Sequence, residues 1–250
     1  MTHTVPTETR AARLLRAGFD RGSRRYDLLV SLNPGYHRHL RSAAEELAGR
    51  AAAGGTPRLI DLGCGSGAST RALLAAVPPG TRIAGLDMSE GMLRRARVKP
   101  WPASVTFDLA KAGDLDTTSW GPGEWDGVFA AYLFRNVPAA DRDKAVREAF
   151  ELLRPGGWLV AQEYSVAGRR RAEVIWEAVC RLIITPLAVL VDGNPGLYRY
   201  LRRSVRDFDS LDRFSRRLAE AGFDNIRRRT VPGWQRGILH VFIARKPAAR

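Results

Sequence analysis

The sequence predicts an α/β fold with a mostly parallel, doubly wound sheet that is covered by helices on both faces. Between residues 56 and 165, short apolar segments alternate with amphipathic helical segments, which is the pattern of parallel strands joined by helices. The first apolar segment runs directly into a glycine-rich loop that leads into a helix. A chain of 250 residues is long enough for one such domain with an elaborated cap.

The first predicted strand and its loop read Leu-Ile-Asp-Leu-Gly-Cys-Gly-Ser-Gly at residues 59–67. Gly63, Gly65 and Gly67 lack a Cβ, so the loop can take positive φ angles and bring its N–H groups against a ligand. Ser69 and Thr70 then begin a helix. This arrangement predicts a nucleotide-type pocket at the carboxyl end of the strand. The alternative is a tight structural turn without a ligand.

A second apolar strand, Arg-Ile-Ala-Gly-Leu-Asp at residues 82–87, ends on an acid 26 positions after Asp61. That spacing corresponds to one strand–helix–strand unit. We therefore expect Asp87 to accept hydrogen bonds from ribose hydroxyls and Met88 to flank an adenine. Asp61, beside the loop, repels phosphate and attracts an ammonium group. The alternative makes Asp87 a helix N-terminal acid and Met88 a core residue.

The remaining elements continue the same pattern and then depart from it. Strands are predicted at residues 105–109, 125–131 and 158–163, with a helix at 141–153. The segment after residue 165 contains an apolar helix at 174–191 and an aromatic, basic stretch at 197–203, and it is predicted to form a lid over the pocket. A helix at 211–221 and an antiparallel edge hairpin of strands 223–231 and 238–244 close the chain. The single domain thus divides into a helical cap (1–50), a core (56–165), a lid insertion (166–209) and a C-terminal part (210–250).

The composition is strongly basic, with a formal net charge of +14 and a pI near 10.8. Basic clusters can bind an anionic membrane surface, RNA or an acidic substrate, or can simply solvate the surface. No RNA-binding module accompanies the charge, so nucleic acid ranks below a membrane surface. The two cysteines match neither a disulfide framework nor a metal site and indicate a reducing compartment. We expect a cytoplasmic protein that contacts the inner face of the membrane peripherally, and we leave a homodimer open.

Several longer motifs resemble the ubiquinone/menaquinone biosynthesis C-methyltransferase family, a class I S-adenosylmethionine-dependent group. They are Arg-Tyr-Asp-Leu-Leu at 25–29, Gly-Tyr-His-Arg at 35–38, Phe-Arg-Asn-Val-Pro at 134–138, Leu-Arg-Pro-Gly-Gly at 153–157, Glu-Tyr-Ser at 163–165 and Tyr-Arg-Tyr-Leu at 198–201. The resemblance covers most of the chain. It implies a Rossmann-like methyltransferase sheet, S-adenosyl-L-methionine as cofactor, and a lipophilic quinol-like acceptor of the demethylmenaquinol type.

The resemblance also implies which residues hold the cofactor. These are Asp61, Gly63, Cys64, Gly65, Ser66, Asp87, Met88, Lys111, Ala112 and Ala131. Three departures from the family indicate a divergent paralogue. Val30 replaces an asparagine, Lys111 stands where the family has an acid near adenine, and His240 lies two residues before the family's histidine, a shift that keeps it on the same face of a strand.

Methyl transfer from a sulfonium depends mainly on alignment of donor and acceptor. The resemblance points to Arg135 and Asn136 as the pair that holds a water or the phenolate oxygen of the acceptor. Arginine stays protonated, so its role is electrostatic stabilisation of the phenolate. The alternative makes Arg135 a surface ion-pair residue and Asn136 a turn former. Tyr26 and His240 are further candidates for moving the acceptor's proton, and each has a packing role as its alternative.

Three other functions stay open on the sequence. A specialised-metabolism paralogue would methylate carbon or oxygen on another aromatic or prenylated acceptor. An RNA methyltransferase is supported only by the charge. A paralogue that binds the cofactor without methylating is suggested by Lys111.

Overall fold

The computed structural model describes residues 35–52, 55–186 and 195–248. Tyr26, Val30 and the family motifs before residue 35 lie outside the described residues. The described part contains one sheet of seven strands in the order β3-β2-β1-β4-β5-β7-β6. Strands β1 to β5 pair in parallel, whereas β7 pairs antiparallel with both β5 and β6. The predicted doubly wound sheet with an antiparallel edge hairpin is confirmed.

The strands are β1 (Arg58–Leu62), β2 (Arg82–Asp87), β3 (Val105–Leu109), β4 (Trp125–Ala131), β5 (Leu153–Tyr164), β6 (Asp224–Thr230) and β7 (Leu239–Arg245). The helices of the described residues are α1 (Tyr36–Ala51), α2 (Ala68–Ala76), α3 (Glu90–Arg97), α4 (Arg142–Leu152), α5 (Arg170–Val179), α6 (Pro195–Arg206) and α7 (Leu211–Glu220). Strands β2, β3 and β4 have the predicted bounds because each is a short apolar segment between clear turn signals.

Apolar residues of alternate strand positions pack on opposite faces of the sheet. On one face, Leu59 and Phe129 pack with Leu40 and Leu47 of α1. On the other face, Ile60 and Val128 pack with side chains of α4 and α7. Strands buried on both faces are apolar almost throughout. This is why β1 and β4 lack the alternation of a half-exposed strand.

The lid insertion differs from its prediction. The expected helix at 174–191 begins earlier, as α5 at Arg170, and α-helical geometry gives way to a π-helical turn at Cys180–Ile184. Residues 187–194 lie outside the described residues. The sequence left open whether this helix is buried in the core, and the structure shows that one side of it faces solvent. Apolar composition alone does not report burial.

Candidate functional site

A cavity of about 250 Å³ lies at the carboxyl ends of the parallel strands and beneath the lid helix α6. Its wall is formed by residues from five chain segments, which are Leu62, Gly63, Asp87, Met88, Ala110, Lys111, Ala112, Leu133, Arg135, Asn136, Val137, Pro138, Arg142, Tyr200, Arg203, Ser204 and Asp207. In open α/β sheets, ligands bind at this end of the strands. Five of the ten predicted cofactor residues, Gly63, Asp87, Met88, Lys111 and Ala112, therefore share one cavity with the predicted Arg135–Asn136 pair.

The glycine loop turns back onto the end of β2. The N–H groups of Gly63 and Cys64 donate to the carbonyl oxygen of Leu86 at 2.7 and 3.0 Å, and that of Gly65 donates to Asp87 Oδ2 at 2.9 Å. These N–H groups are used within the protein, so the expectation that they point at the ligand is wrong. Gly63 has a φ of +78°, and a Cβ there would lie 2.9 Å from Leu133 Cδ1. The glycine gives close backbone approach rather than hydrogen-bond donors.

Asp87 closes the loop and faces the cavity. Its Oδ1 accepts the N–H of Ser89 at 2.8 Å, while Oδ2 accepts that of Gly65. A carboxylate can accept hydrogen bonds from both hydroxyls of a ribose. The position of Asp87 at the cavity wall fits the ribose of S-adenosylmethionine. The role itself stays a prediction.

Asp61 is fully buried and does not line the cavity. Its Oδ2 accepts the hydroxyls of Ser69 at 2.7 Å and of Thr70 at 2.6 Å, whereas Oδ1 is buried without a hydrogen-bond partner among the described residues. Burial raises the pKa of Asp61 to about 7. A buried acceptor without a hydrogen bond is suited to binding a donor. In this structure the hydrogen bonds that Asp61 makes are those to Ser69 and Thr70, which fix the start of helix α2. Its proposed contact with the methionine ammonium remains a prediction.

The other predicted cofactor residues divide into two groups. Met88, Lys111 and Ala112 line the cavity, with the Lys111 side chain about one-third exposed and its ammonium 3.9 Å from Asp114. The rest surround the loop or end a strand without lining the cavity, namely Cys64, Gly65, Ser66 and Ala131. Cys64 is buried, and burial raises the pKa of its thiol well above the ordinary value, so it stays a thiol.

Arg135 and Asn136 lie in a short 3₁₀ turn directly after β4. Arg135 Nη1 donates to Ser204 Oγ of the lid helix at 2.8 Å and to Asn136 Oδ1 at 3.2 Å. Asn136 Nδ2 donates to the carbonyl oxygen of Tyr132 at 2.9 Å, and the Tyr200 hydroxyl donates to Asn136 Oδ1 at 3.4 Å. Burial raises the pKa of Tyr200, so its hydroxyl remains a donor. Arg135 is buried at the cavity wall, so the surface ion-pair alternative is wrong.

Glu163 is a residue that the sequence reasoning quoted only as part of a motif. It is fully buried near the end of β5, and its Oε2 lies 3.7 Å from Arg135 Nε. Burial raises its pKa to about 7, while Arg135 and the nearby backbone N–H groups of residues 134 and 135 oppose that rise. An acid near the carboxyl end of an otherwise apolar strand was the available signal, because those ends meet at the site.

The structure does not bring His240 to the cavity. It is buried on β7, opposite Glu163 in the strand register, and its Nε2 has no hydrogen-bond partner within the part of the chain that the structure describes. Burial lowers its pKa to about 4, so the ring is neutral at pH 7 and is a weak base. Tyr26, the other candidate for moving a proton, lies outside the described residues.

A row of four aromatic rings runs from α1 to α5 without lining the cavity. Tyr132 stacks between Tyr36 of α1 and Tyr164 of β5 with centroid separations of 5.4 and 5.2 Å, and Trp176 of α5 follows at 5.3 Å. Tyr132 has a φ of +60°, which is rare for an aromatic residue. Strain of this kind clusters at functional sites. Its hydroxyl accepts a hydrogen bond from Gln162 Nε2 at 2.7 Å, which ties the row to β5.

Comparison with known proteins agrees with the geometry of the site. Residues 7–246 match the ubiE/COQ5 methyltransferase family. The chain is 31% identical over 230 residues to a ubiquinone/menaquinone biosynthesis C-methyltransferase of Methylobacterium nodulans, covering 92% of this chain and 90% of that protein. It is 32% identical over 234 residues to a demethylmenaquinone methyltransferase of Beutenbergia cavernae, with the same two coverages.

A solved structure shows the same fold at low identity. The 1,6-didemethyltoxoflavin N1-methyltransferase of Burkholderia thailandensis, solved with 1,6-didemethyltoxoflavin and S-adenosylhomocysteine, matches with a TM-score of 0.64 and 17% identity over 99% of this chain and 93% of that chain. A cavity at the strand ends, a glycine loop joined to Asp87, and the family match over nearly the whole chain lead to one conclusion. This chain belongs to the ubiE/COQ5 methyltransferase family and is an S-adenosylmethionine-dependent methyltransferase.

Proposed function

We propose that the protein transfers a methyl group to a ring carbon of a lipophilic quinol of the demethylmenaquinol type. The observation that carries the proposal is that Arg135 and Asn136 line the same cavity as Gly63, Asp87 and Met88. Donor and acceptor would then lie side by side in one enclosed space. The names of the relatives, which include demethylmenaquinone methyltransferases, support the choice of acceptor.

In the proposed reaction the bound cofactor supplies the methyl group. Arg135 faces the phenolic oxygen of the acceptor and stabilises the negative charge that forms when the phenol loses its proton to solvent. The electron-rich ring carbon would bond to the methyl carbon while the methyl–sulfur bond breaks and leaves its electron pair on sulfur, and release of the ring proton to solvent would restore aromaticity. Asn136 and Tyr200 hold the arginine and the lid helix around the ring, which supplies alignment.

The test uses purified protein, radiolabelled S-adenosylmethionine and a panel of acceptors. The panel holds a short-chain demethylmenaquinol, other prenylated phenols, simple phenolic compounds and RNA. We expect label in the demethylmenaquinol, and we expect Arg135→Ala to lower kcat about 100-fold while cofactor affinity stays within about threefold. Arg154→Ala is the matched control, because Arg154 is half-exposed and pairs with Asp126 at 2.6 Å at the opposite end of the sheet.

Each other outcome identifies a different function. Label only in another phenolic or prenylated compound would make the protein a specialised-metabolism enzyme that methylates carbon or oxygen. Salt-sensitive labelling of RNA would favour the RNA methyltransferase. Cofactor binding with no labelled product in the whole panel would contradict the quinol proposal and favour a paralogue that binds the cofactor without methylating.

We also propose that the protein meets its acceptor at the cytoplasmic face of the membrane, through the outer side of the lid. No helix among the described residues is long and apolar enough to cross a bilayer. Four large apolar side chains on the lid are nonetheless exposed, namely Val174, Ile175, Leu182 and Ile183. Exposed arginines border them at 170, 171 and 181. An apolar stripe bordered by cations suits a surface of anionic lipid.

Vesicle sedimentation tests the membrane contact. We expect binding to vesicles that contain anionic lipid, weaker binding to neutral vesicles, and at least a tenfold loss in the double variant Leu182→Asp with Ile183→Asp. Val98→Asp is the control, since Val98 is 83% exposed at the end of α3, away from the lid. Equal losses of vesicle binding in the double variant and in Val98→Asp would contradict membrane binding through the lid face. A homodimer stays a prediction that sedimentation velocity tests.

A further inference from the structure

Glu163 occupies a buried position, and burial is unfavourable for a charged carboxylate. It is 0% exposed, and the groups that favour its charge are the Arg135 guanidinium, the backbone N–H groups of residues 134 and 135, and Arg142. Among the described residues its nearest cation is Arg135, whose Nε is buried without a hydrogen bond to any of them. Burying an ion that is not fully satisfied costs stability. A neutral residue of the same shape would fill this place more favourably, so the carboxylate calls for an explanation.

The position of Arg135 connects Glu163 to the lid. The Nε edge of the guanidinium faces Glu163, and Nη1 donates to Ser204 Oγ on α6. The remaining terminal nitrogen, Nη2, makes no hydrogen bond to the described residues, and Arg135 lines the cavity. One side of the guanidinium is thus held by β5 and another by the lid helix. Rotation of the planar group would break both contacts together.

We propose that Glu163 is a positioning residue that holds the Arg135 guanidinium toward the acceptor and, through Ser204, seats the lid helix over the cavity. The positioning of Arg135 toward the acceptor rests on the proposed function, whereas the seating of α6 does not. Glu163 does not line the cavity, so it acts on the acceptor through Arg135. The seating of α6 can be measured without any acceptor.

The charge of Glu163 makes this arrangement depend on pH. The groups that face it are Arg135 after β4, Arg142 of α4 and His240 of β7. Its pKa is raised to about 7, so the ion pair with Arg135 is present above pH 7 and is lost as the pH falls below it. We expect kcat to decline below about pH 7, and Glu163→Gln to abolish that inflection.

A double-mutant cycle on kcat separates positioning from simple packing. We expect Glu163→Gln to lower kcat about tenfold and to leave cofactor affinity within about twofold. If Glu163 acts through Arg135, the double variant Glu163→Gln with Arg135→Ala is no slower than Arg135→Ala alone. Asp126→Asn is the matched control, since Asp126 pairs with Arg154 at the far end of the sheet, and it should leave kcat and its pH profile unchanged.

Amide hydrogen exchange gives the readout that needs no acceptor. Exchange at residues 199–206 of α6 should accelerate about tenfold in Glu163→Gln and stay unchanged in Asp126→Asn. Additive losses of kcat in the cycle, with α6 exchange unchanged, would overturn the proposal. If the protein methylates another acceptor in the panel, the cycle is run on that acceptor, so a wrong quinol assignment and a wrong role for Glu163 give different results.

Discussion

The proposed cofactor half and the proposed acceptor half of the cavity are built in different ways. In the cofactor half, Asp87 binds the N–H of Gly65, a residue 22 positions away, and that of Ser89, two positions away. In the acceptor half, Arg135 binds Ser204, which is 69 positions away, and pairs with Glu163 from a third element. The first half is a local turn between neighbouring strands. The second half forms only when three distant segments come together.

This difference has a consequence for evolution and for engineering. The hydrogen bonds of a local turn are made within the turn and the neighbouring strand. Such a turn can therefore bind the same cofactor whichever acceptor the rest of the cavity binds. A long-range cluster with buried charges changes whenever the lid changes, so acceptor choice can diverge while the cofactor site stays fixed. We therefore expect changes in the first half to affect cofactor affinity and changes in the second half to affect turnover.

The largest effect on cofactor binding is expected at Asp87. Replacing it with alanine removes the acceptor for the Gly65 and Ser89 N–H groups and the proposed acceptor for the ribose. We expect the Kd for S-adenosylmethionine, measured by calorimetry, to rise about 100-fold. Asp116→Ala is the control, because that acid accepts hydrogen bonds only within its own turn. A change of less than threefold at Asp87 would remove the predicted ribose contact.

The two buried acids should make stability fall as pH rises. Both Asp61 and Glu163 have a pKa of about 7 in the folded protein, against ordinary values of 3.8 and 4.5. Between those limits the unfolded chain releases protons that the folded protein keeps, so their contribution is complete at low pH and is lost as pH rises through 7.

Urea unfolding at several pH values between 5 and 8 tests this expectation. Asp61→Asn should remove part of this fall, so that the unfolding free energy declines less steeply with rising pH than in the wild type. Asp116→Asn should leave the slope unchanged in this range, because hydrogen bonds within its turn lower the pKa of Asp116. An identical slope in Asp61→Asn and in the wild type would show that Asp61 does not keep its proton.

The smallest effect is expected at Lys111. It lines the cavity where the family carries an acid near adenine, and its nearest carboxylate is 3.9 Å away. Lys111→Asp should tighten cofactor binding about threefold, because a carboxylate can accept from the adenine amino group. Arg216→Asp makes the same charge change at an exposed position of α7 and should have no effect. No difference between the two variants would remove the idea that Lys111 weakens the cofactor site.

Features that depend on local sequence could be predicted, whereas features that depend on contacts between distant segments could not. The strand bounds of β2, β3 and β4 and the place of Gly63 and Asp87 came from local patterns, and the structure agrees with them. The direction of the loop N–H groups could not be predicted from local patterns, because it depends on the Leu86 carbonyl of a neighbouring strand. The contacts of Glu163 and Ser204 with Arg135 were not visible either, since they form only through tertiary packing. The exposed side of α5 was unreadable for the same reason.

The aromatic row has an optical consequence. Tyr36, Tyr132 and Tyr164 lead in steps of just over 5 Å to Trp176, and tyrosine excitation passes readily to a tryptophan at such distances. The Trp176 indole N–H also donates to the Arg202 carbonyl of α6 at 3.4 Å. The part of the fluorescence emission that is lost in Trp176→Phe therefore comes from a tryptophan that contacts α6. A change in that emission would report a change in the contact between α5 and α6, without any attached dye.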